Sequence, residues 1–463
     1  MTRNETLIAL DLGTSFIKGA VIDLERLQLG PVQRLPFPEP IPGLPPLFYE
    51  VDPAQILTAV RGLLDRLLAL APNCAGIVTC GQMGGLILTT QQGEPLSNYI
   101  SWRDQRLLTR PPARGNTYFE LLEQQLSPAE RSQLGNEVRP GLPVSTLFWL
   151  AEQKSLPRSR AIAATLTDFV LANLCGAAPA MDVTQATGAL NLETLDWHYP
   201  VFARLGLEAV LWPALSDLRE PVGHFEAGGS SLPCYAPVGD HQCALLGAYL
   251  DYRELSLNIS TGSQVSLLTP QCQPGNYQTR PYFDGRFLNT ISHIPAGRSL
   301  NVLMDLLSEL AVAQGLPLAD PWAYVEQAVG AIEDTDLMVN LAFFPSPVGQ
   351  PGAVTNIHEG NLTVGHLFLA AFRNMADNYQ ACALRLSPGR EWHSLVFSGG
   401  LAQKFGVLRR LIIDRMPGRY RLCASSEDTL LGLLVLALVV SGRAASVAAA
   451  SAMVQAQEPD QHS

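Results

Sequence analysis

The sequence predicts an α/β chain built as two similar halves. Three observations carry this: an early strand–helix–strand order, a hairpin with a Thr/Ser/Gly turn near residue 14, and a second such hairpin near residue 262. At 463 residues the chain is long for one core, and two domains of roughly 200 residues each are expected. The second hairpin sets the division, at residues 1–250 and 251–463. Hydrophobic residues make up 47% and charged residues 16%, which fits a large buried interior.

The first hairpin spans residues 7–23. Apolar runs at 7–10 and 16–22 flank the small turn Gly13-Thr14-Ser15, and Asp11 closes the first strand. Free backbone N–H groups, two hydroxyls and a carboxylate suit a metal-bound polyphosphate, with Asp11 holding Mg²⁺ directly or through water. An ordinary hairpin with Asp11 as a turn residue fits the stretch equally well. Residues 35–46 are proline-rich and extended. Residues 53–70 carry apolar side chains at helical spacing, and 75–80 form a strand ending at Gly81-Gln82-Met83-Gly84-Gly85. A short strand follows at 86–90, and residues 97–106 gather Tyr99, Trp102, Arg103, Asp104 and Arg106. Helices are expected at 143–154, at 159–174 with Asp168 inside, and at 200–215.

Gly239 permits a sharp strand exit, and Asp240 opens an apolar helix at 242–250. The field of a helix N-terminus favours an ionised aspartate, as a base at neutral pH requires. An N-cap aspartate fits the same place. Residues 255–270 then repeat the opening theme around Thr261-Gly262-Ser263, so two such turns facing each other could grip one polyphosphate from both sides. A hairpin is expected at 282–288, helices at 298–315, 321–332 and 364–386, and a Pro/Gly-rich loop at 343–363. The strand 394–398 runs into Gly399-Gly400, where a nucleotide can approach closely, and a helix follows at 403–415. An apolar helix at 428–441 closes the series.

The net charge of −11 argues against a nucleic-acid surface but not against a local phosphate site. The apolar run 429–442 is too short for a bilayer, which needs about 20 residues, so no membrane partner is expected. The eight cysteines include no Cys-x-x-Cys pair, which points to buried free thiols and a reducing compartment rather than zinc. Residues 1–5 lack the apolar core of a signal peptide, and a cytoplasmic location is expected.

Taken together, these stretches resemble the FGGY carbohydrate kinase family, in its sedoheptulokinase-like branch, in order and over nearly the whole chain. Asp11-Leu12-Gly13-Thr14-Ser15 with Lys18 matches the family's first phosphate motif, and Asn258-Ile259-Ser260-Thr261-Gly262-Ser263-Gln264 its second. Gly81–Gly85 is similar to the Gly-Gln-Met-His-Gly sugar loop, and Trp102–Arg106 to the Trp-x-Asp-x-Arg segment. Gly239-Asp240-His241-Gln242 matches the loop of the catalytic aspartate, and Ser398-Gly399-Gly400 the adenosine motif. The branch resemblance comes from the stretches beginning at Asp168, Gly239, Asn258 and Leu362.

The resemblance implies two actin-like ATPase (ribonuclease H-like) domains, each a mixed sheet flanked by helices, around a central cleft. The sugar would lie mainly against residues 1–250 and the nucleotide against 251–463. It implies ATP, Mg²⁺ and phosphorylation of a primary hydroxyl of a ketose or polyol, sedoheptulose to its 7-phosphate foremost. A xylulose or ribulose kinase, or a catalytically weak sugar or nucleotide sensor, are the alternatives, and a homodimer is left open. By residue, Asp240 would be the base and Asp11 the metal ligand. Gly13, Thr14, Ser15, Thr261, Gly262 and Ser263 would hold phosphate, and Gly399, Gly400 and Gln403 the nucleotide. Lys18 would reach the transferring phosphate or lie on the strand surface. Gln82, Met83, Gly84, Trp102, Arg103, Asp104 and His241 would meet the sugar with Asp240; core packing is the other reading of Trp102. An actin- or chaperone-like ATPase with protein partners fits the same fold but leaves the sugar-type stretches without a use. Three departures bear on specificity: Gly84 stands in place of the usual His, removing a donor and leaving space; His241 stands where some relatives have Asn; and residues 343–363 lack the family's Gly-Glu-Arg signature.

Overall fold

The computed structural model describes residues 5–112, 115–157, 160–423, 425 and 427–457. The first sheet is built on β1 (Thr6–Leu12) and β2 (Phe16–Asp23), an antiparallel pair around the first turn. Short strands β3 (Gln28–Leu29) and β4 (Gln33–Pro36) pair with β2. On the other side of β1 lies β5 (Cys74–Gly81), parallel to it, reached through helix α1 (Pro53–Leu70). The antiparallel pair β6 (Pro221–Ala227) and β7 (Ser230–Tyr235) extends the sheet beyond β5, and β8 (Val238–Gly239) pairs with the end of β5.

The second sheet repeats the plan. β9 (Glu254–Asn258) and β10 (Ser263–Thr269) form its hairpin; β11 (Gln278–Pro281) and β12 (Phe287–Ile294) extend it on one side, β13 (Ser394–Ser398) and β14 (Arg419–Leu422) on the other. The central order β5-β1-β2 of the first sheet matches β13-β9-β10 of the second, each with a parallel neighbour to the hairpin's first strand.

Period-two alternation sends the two faces of each sheet into different cores. Along β1, Ile8, Leu10 and Leu12 pack with α1 and α2 (Leu166–Cys175), while Leu7 and Ala9 face the opposite way. That second face meets α3 (Asp240–Gly247) and a late helix at Asp428–Val440, and the same core takes in Leu268, Leu288 and Val396 of the second sheet. The far face of the second sheet packs against α4 (Gly297–Ala313), α5 (Pro321–Gly330), α6 (Val364–Leu386) and α8 (Gly406–Arg415), the last preceded by the short α7 (Gly400–Lys404). Helix α9 (Asp428–Val440) is apolar all round because it lies between the sheets. It falls after residue 250 in the chain, yet packs on the first sheet as well as the second. A further helix, α10 (Val447–Gln455), was not evident from the sequence.

Several expectations move at their edges. Residues 200–215 give only a short helix, Tyr199–Arg204, with Trp212 stacked on Phe202 at 4.3 Å between ring centroids. The helix expected over 403–415 breaks at Phe405 into α7 and α8. The hairpin expected at 282–288 is the turn of β11 and β12, through Phe283–Gly285. Ser159, where the spacing predicts a helix start, lies outside the described residues, as do residues 1–4; a strand, Ile162–Ala164, precedes α2.

Candidate active site

Three parallel strand ends lie side by side in the first sheet, with Leu12 opposite Gly81 and Gly81 opposite Gly239. That register brings the first turn, the loop Gln82-Met83-Gly84 and Asp240 to one edge, where open α/β sheets present ligand sites. In the second sheet Asn258 lies opposite Ser398, which sets the second turn beside Gly399-Gly400. A cleft of about 480 Å³ lies between these edges, lined from both halves by Thr14, Gln82, Trp102, Asp240, Ser260 and Gly262 among others.

Asp240 is the first residue of α3. The helix N-terminus does not decide its charge, contrary to the sequence expectation. Burial pushes the carboxyl up to about 7, and the nearby Asp11 adds to the push; the His241 N–H and the Arg280 charge oppose it without prevailing. Asp428, at the start of α9 and also lining the cleft, is pushed up to about 6, chiefly by burial.

Asp11 is buried, and its Oδ2 accepts a 2.7 Å hydrogen bond from Thr429. Lys18 Nζ stands 3.9 Å from Asp11 and 3.1 Å from Glu427, so it belongs to this charged group rather than to a bare strand surface. Asp11 Oδ1 is buried and meets no hydrogen-bond partner among the described residues. A buried carboxylate oxygen without a partner fits a cation ligand. Among those residues no group of three or more His, Cys, Asp or Glu side chains is arranged to hold a metal. Asp11 therefore suits a hard cation that completes its shell with phosphate oxygens and water.

Two of the residues expected to meet a sugar are tied to the first turn. Gln82 Nε2 donates to the Gly13 carbonyl at 3.3 Å, and its Oε1 accepts from Tyr99 at 3.0 Å. Trp102 Nε1 donates to Thr14 Oγ1 at 3.0 Å, which answers the core-packing alternative for this ring: it lines the cleft. Gly84 does not leave space. A Cβ there would stand 2.7 Å from Trp102 Cβ, so the tryptophan occupies the room a side chain would need. Arg103 and Asp104 do not line the cleft. Arg103 is exposed and hydrogen-bonds Tyr49, while buried Asp104 pairs with Arg106 at 2.8 Å and accepts from the Tyr49 N–H.

The remaining predicted residues divide in the same way. Met83 and His241 line the cleft with Gly262. Thr261 and Ser15 are exposed on their turns. Ser263 is buried and braces the second turn through Ser260. Gly399 takes a φ of 87° against Ile259, whose carbonyl a Cβ would approach to 2.5 Å; Gly400 and Gln403 continue into α7, beside the second turn but outside the cleft lining.

Sequence reasoning missed a polar group that crosses the cleft. Buried Glu137 accepts from Arg280 Nε at 2.5 Å, and Arg139 Nε lies 3.6 Å from its other oxygen. Arg280 also donates to His241 Nδ1 at 2.9 Å, and Arg139 to His293 Nε2 at 2.6 Å. Burial works to raise the Glu137 carboxyl, yet the two guanidiniums hold it below the ordinary range. Burial and the arginines keep both imidazoles uncharged: His241 is well below its usual value and His293 is at about 4. The two arginines share an Arg-Pro dipeptide, Arg139-Pro140 and Arg280-Pro281, but Arg110-Pro111 carries it too, so the sequence does not single them out.

A profile described as the FGGY family of carbohydrate kinases, N-terminal domain, matches residues 6–247. The chain is 24% identical over 460 residues to a sedoheptulokinase of Mus musculus, covering 90% of this chain and 94% of that protein. A glycerol kinase of Plasmodium falciparum solved with ADP superposes with a TM-score of 0.82 at 17% identity, covering 98% of this chain and 93% of that one. A xylulose kinase of Rhodospirillum rubrum gives 0.82 at 19% identity, covering 96% and 92%. These structures share the two-domain, actin-like ATPase fold expected from the sequence.

Proposed function

The chain belongs to the FGGY family of carbohydrate kinases, and on that footing we propose that it transfers the terminal phosphoryl group of ATP to a primary hydroxyl of a ketose or polyol. The observation that carries this is the place of Asp240: a carboxylate at a parallel strand end, lining a cleft that Thr14 enters from one half and Ser260 and Gly262 from the other. Phosphoryl transfer asks mainly for positioning, charge neutralisation and an oriented nucleophile. Asp240, once ionised, accepts the proton of the attacking hydroxyl. Trp102 offers an apolar face to the C–H surface of the acceptor, and Gln82 stays fixed between Tyr99 and the first turn. Backbone and hydroxyl donors of the two turns hold phosphate oxygens. Asp11 and Lys18 are the residues that would hold Mg²⁺ and the transferring phosphate; the metal supplies charge neutralisation when bound.

Sedoheptulose is the acceptor we propose, on the likeness to the sedoheptulokinase over nearly its full length; xylulose and ribulose come next. A coupled ADP-release assay over ketoses and polyols, with a no-acceptor control, tests this. Acceptor-dependent turnover in the wild type should fall by about 10³-fold or more in Asp240→Asn, with ATP binding retained. Full activity in that variant would remove Asp240 from the base role. Strong turnover of a five-carbon ketose with none of sedoheptulose would change the acceptor.

A further inference from the structure

We propose that Arg139 and Arg280 form an oxyanion subsite in the cleft wall beside Asp240. It takes a carboxylate or phosphate group, carried either by the acceptor or by the phosphoryl group in transit. The proposal rests on the kinase reading of the cleft. Arg139 comes from the first half and Arg280 from β11 of the second, and both line the cavity with Asp240, His241 and His293.

Counted by ion pairs the charges do not balance; Asp240 feels the Arg280 charge but forms no ion pair with either arginine among the described residues. Two guanidiniums share one carboxylate, Glu137. The other close partners are imidazoles, and each accepts an arginine N–H: His241 through Nδ1 and His293 through Nε2. A ring nitrogen that accepts carries no proton, so both rings are neutral and neither repels nor offsets the surplus. Among the described residues no hydrogen bond engages Nη2 of either arginine. Burial presses on Arg139 in the direction of charge loss, Glu137 opposes this, and the like charge of Arg280 adds to it. Arg139, with 32% of its side chain exposed, and buried Arg280 both face the cleft and are better served by an anion than by a neutral hydroxyl. Guanidinium forks match carboxylate and phosphate oxygens in planar, paired hydrogen bonds, which a lysine could not reproduce. Because the forks arrive from opposite halves, one bound oxyanion would also bridge the cleft.

Arg139 is the residue to change, since it is less buried than Arg280. Calorimetric titration of the intact protein with inorganic phosphate and with D-gluconate reads the subsite without turnover. In Arg139→Gln the Kd of at least one anion should rise about 10- to 100-fold, with partial recovery in Arg139→Lys. Steady-state kinetics then separate the sources. If the acceptor brings the anion, aldonates or sugar phosphates outperform sedoheptulose in the wild type, and Arg139→Gln raises their KM at least tenfold more than that of ATP. If the phosphoryl group is the anion, Arg139→Gln lowers kcat for every acceptor by about 10- to 100-fold. Two results would overturn the subsite: anion binding equal within twofold in wild type and Arg139→Gln, or no binding of either anion to the wild type at millimolar concentration. Arg139-dependent anion binding with no turnover over the whole acceptor panel would instead remove the kinase reading and leave the subsite standing.

Discussion

The two hairpin turns share a topology and differ in charge. In the first, the residues paired across the strands below the turn are Asp11 and Lys18; in the second, they are Asn258 and Gln264. The supports differ as well. The first turn is held by side chains from distant segments, with Trp102 on Thr14, Gln82 on Gly13 and Thr429 on Asp11. The second is held by its own residues and by the start of α4, with Ser260 bonded to Asn258 and Ser263, and the Gly297 and Arg298 N–H groups on the carbonyls of Ser260 and Thr261. The first turn thus carries charge and is tied to Gln82 and Trp102, while the second is neutral and is held by its own residues and the start of α4.

Making the first turn resemble the second should therefore cost most at its carboxylate. Asp11→Asn is expected to lower kcat about 10²- to 10³-fold and to weaken the dependence on Mg²⁺, read by ADP release across a magnesium series. A variant with wild-type magnesium response would erase the contrast between the turns. Lys18→Gln, which copies Gln264, should lower kcat about tenfold, the scale of one charge-assisted contact; equal loss from Gln264→Ala would show the two positions to be equivalent. Thr14→Val leaves the Trp102 N–H without its acceptor, and the acceptor KM should rise about 3- to 10-fold with little change for ATP. A change confined to the ATP KM would assign Thr14 to phosphate alone.

The smallest expected effects are pH shifts. In the proposed base role Asp240 must be ionised, so kcat/KM should climb with pH through about 7 and level off above it. Asp11 is one of the charges pushing Asp240 up, so the residual activity of Asp11→Asn should show its acid limb at lower pH; an unmoved limb would uncouple the two carboxylates. Stability follows the same groups. Asp240 and Asp168 at about 7, and Asp428 at about 6, hold protons in the folded state that the unfolded chain gives up near 4. These carboxyls bind more protons in the native form than in the unfolded form and so lower stability as pH rises, while the uncharged His241 and His293, which an unfolded chain protonates below about 6.5, act the other way. The net fall in stability should therefore show from about pH 6.5 to about 7.5. Thermal unfolding across that range, with a flat Tm as the contrary result, measures it.

Both turns and Asp240 were legible because each is a local signal: apolar strand, small-residue turn, strand or helix. Their repetition pointed to two similar halves. Position in the wall was not legible. Asp104 looked like a sugar contact, but a guanidinium two residues on, with Tyr49 behind it, claims both of its oxygens. Gly84 looked like a vacancy until Trp102 filled it. Arg139 and Arg280 share Glu137 because a loop of one half is joined to an edge strand of the other, the Gly135 carbonyl accepting the Thr279 N–H and Asn136 donating to the Gly275 and Tyr277 carbonyls. No periodicity in either segment announces a pairing of that range. The charge of Asp240 was misjudged because helix-end fields are local, whereas burial and Asp11 depend on the assembled fold.

The crossing of α3 and α9 has a consequence in time. A Cβ on Gly247 would stand 1.8 Å from the Asp428 carbonyl, and one on Gly432 would stand 2.0 Å from that of Cys243, so the two helices meet backbone to backbone. Chains emerge from the ribosome N-terminus first, at about 5–20 residues per second. Asp240 and the cleft residues Gln82 and Trp102 exist well before α9 has been made, yet until then α3 lacks its cover and Asp11 lacks Thr429. Nascent chains arrested ahead of residue 428 should therefore remain protease-sensitive at α3 and inactive, then switch abruptly as α9 clears the exit tunnel. Catalysis in this molecule would then wait on α9, although Asp240 is made well before it.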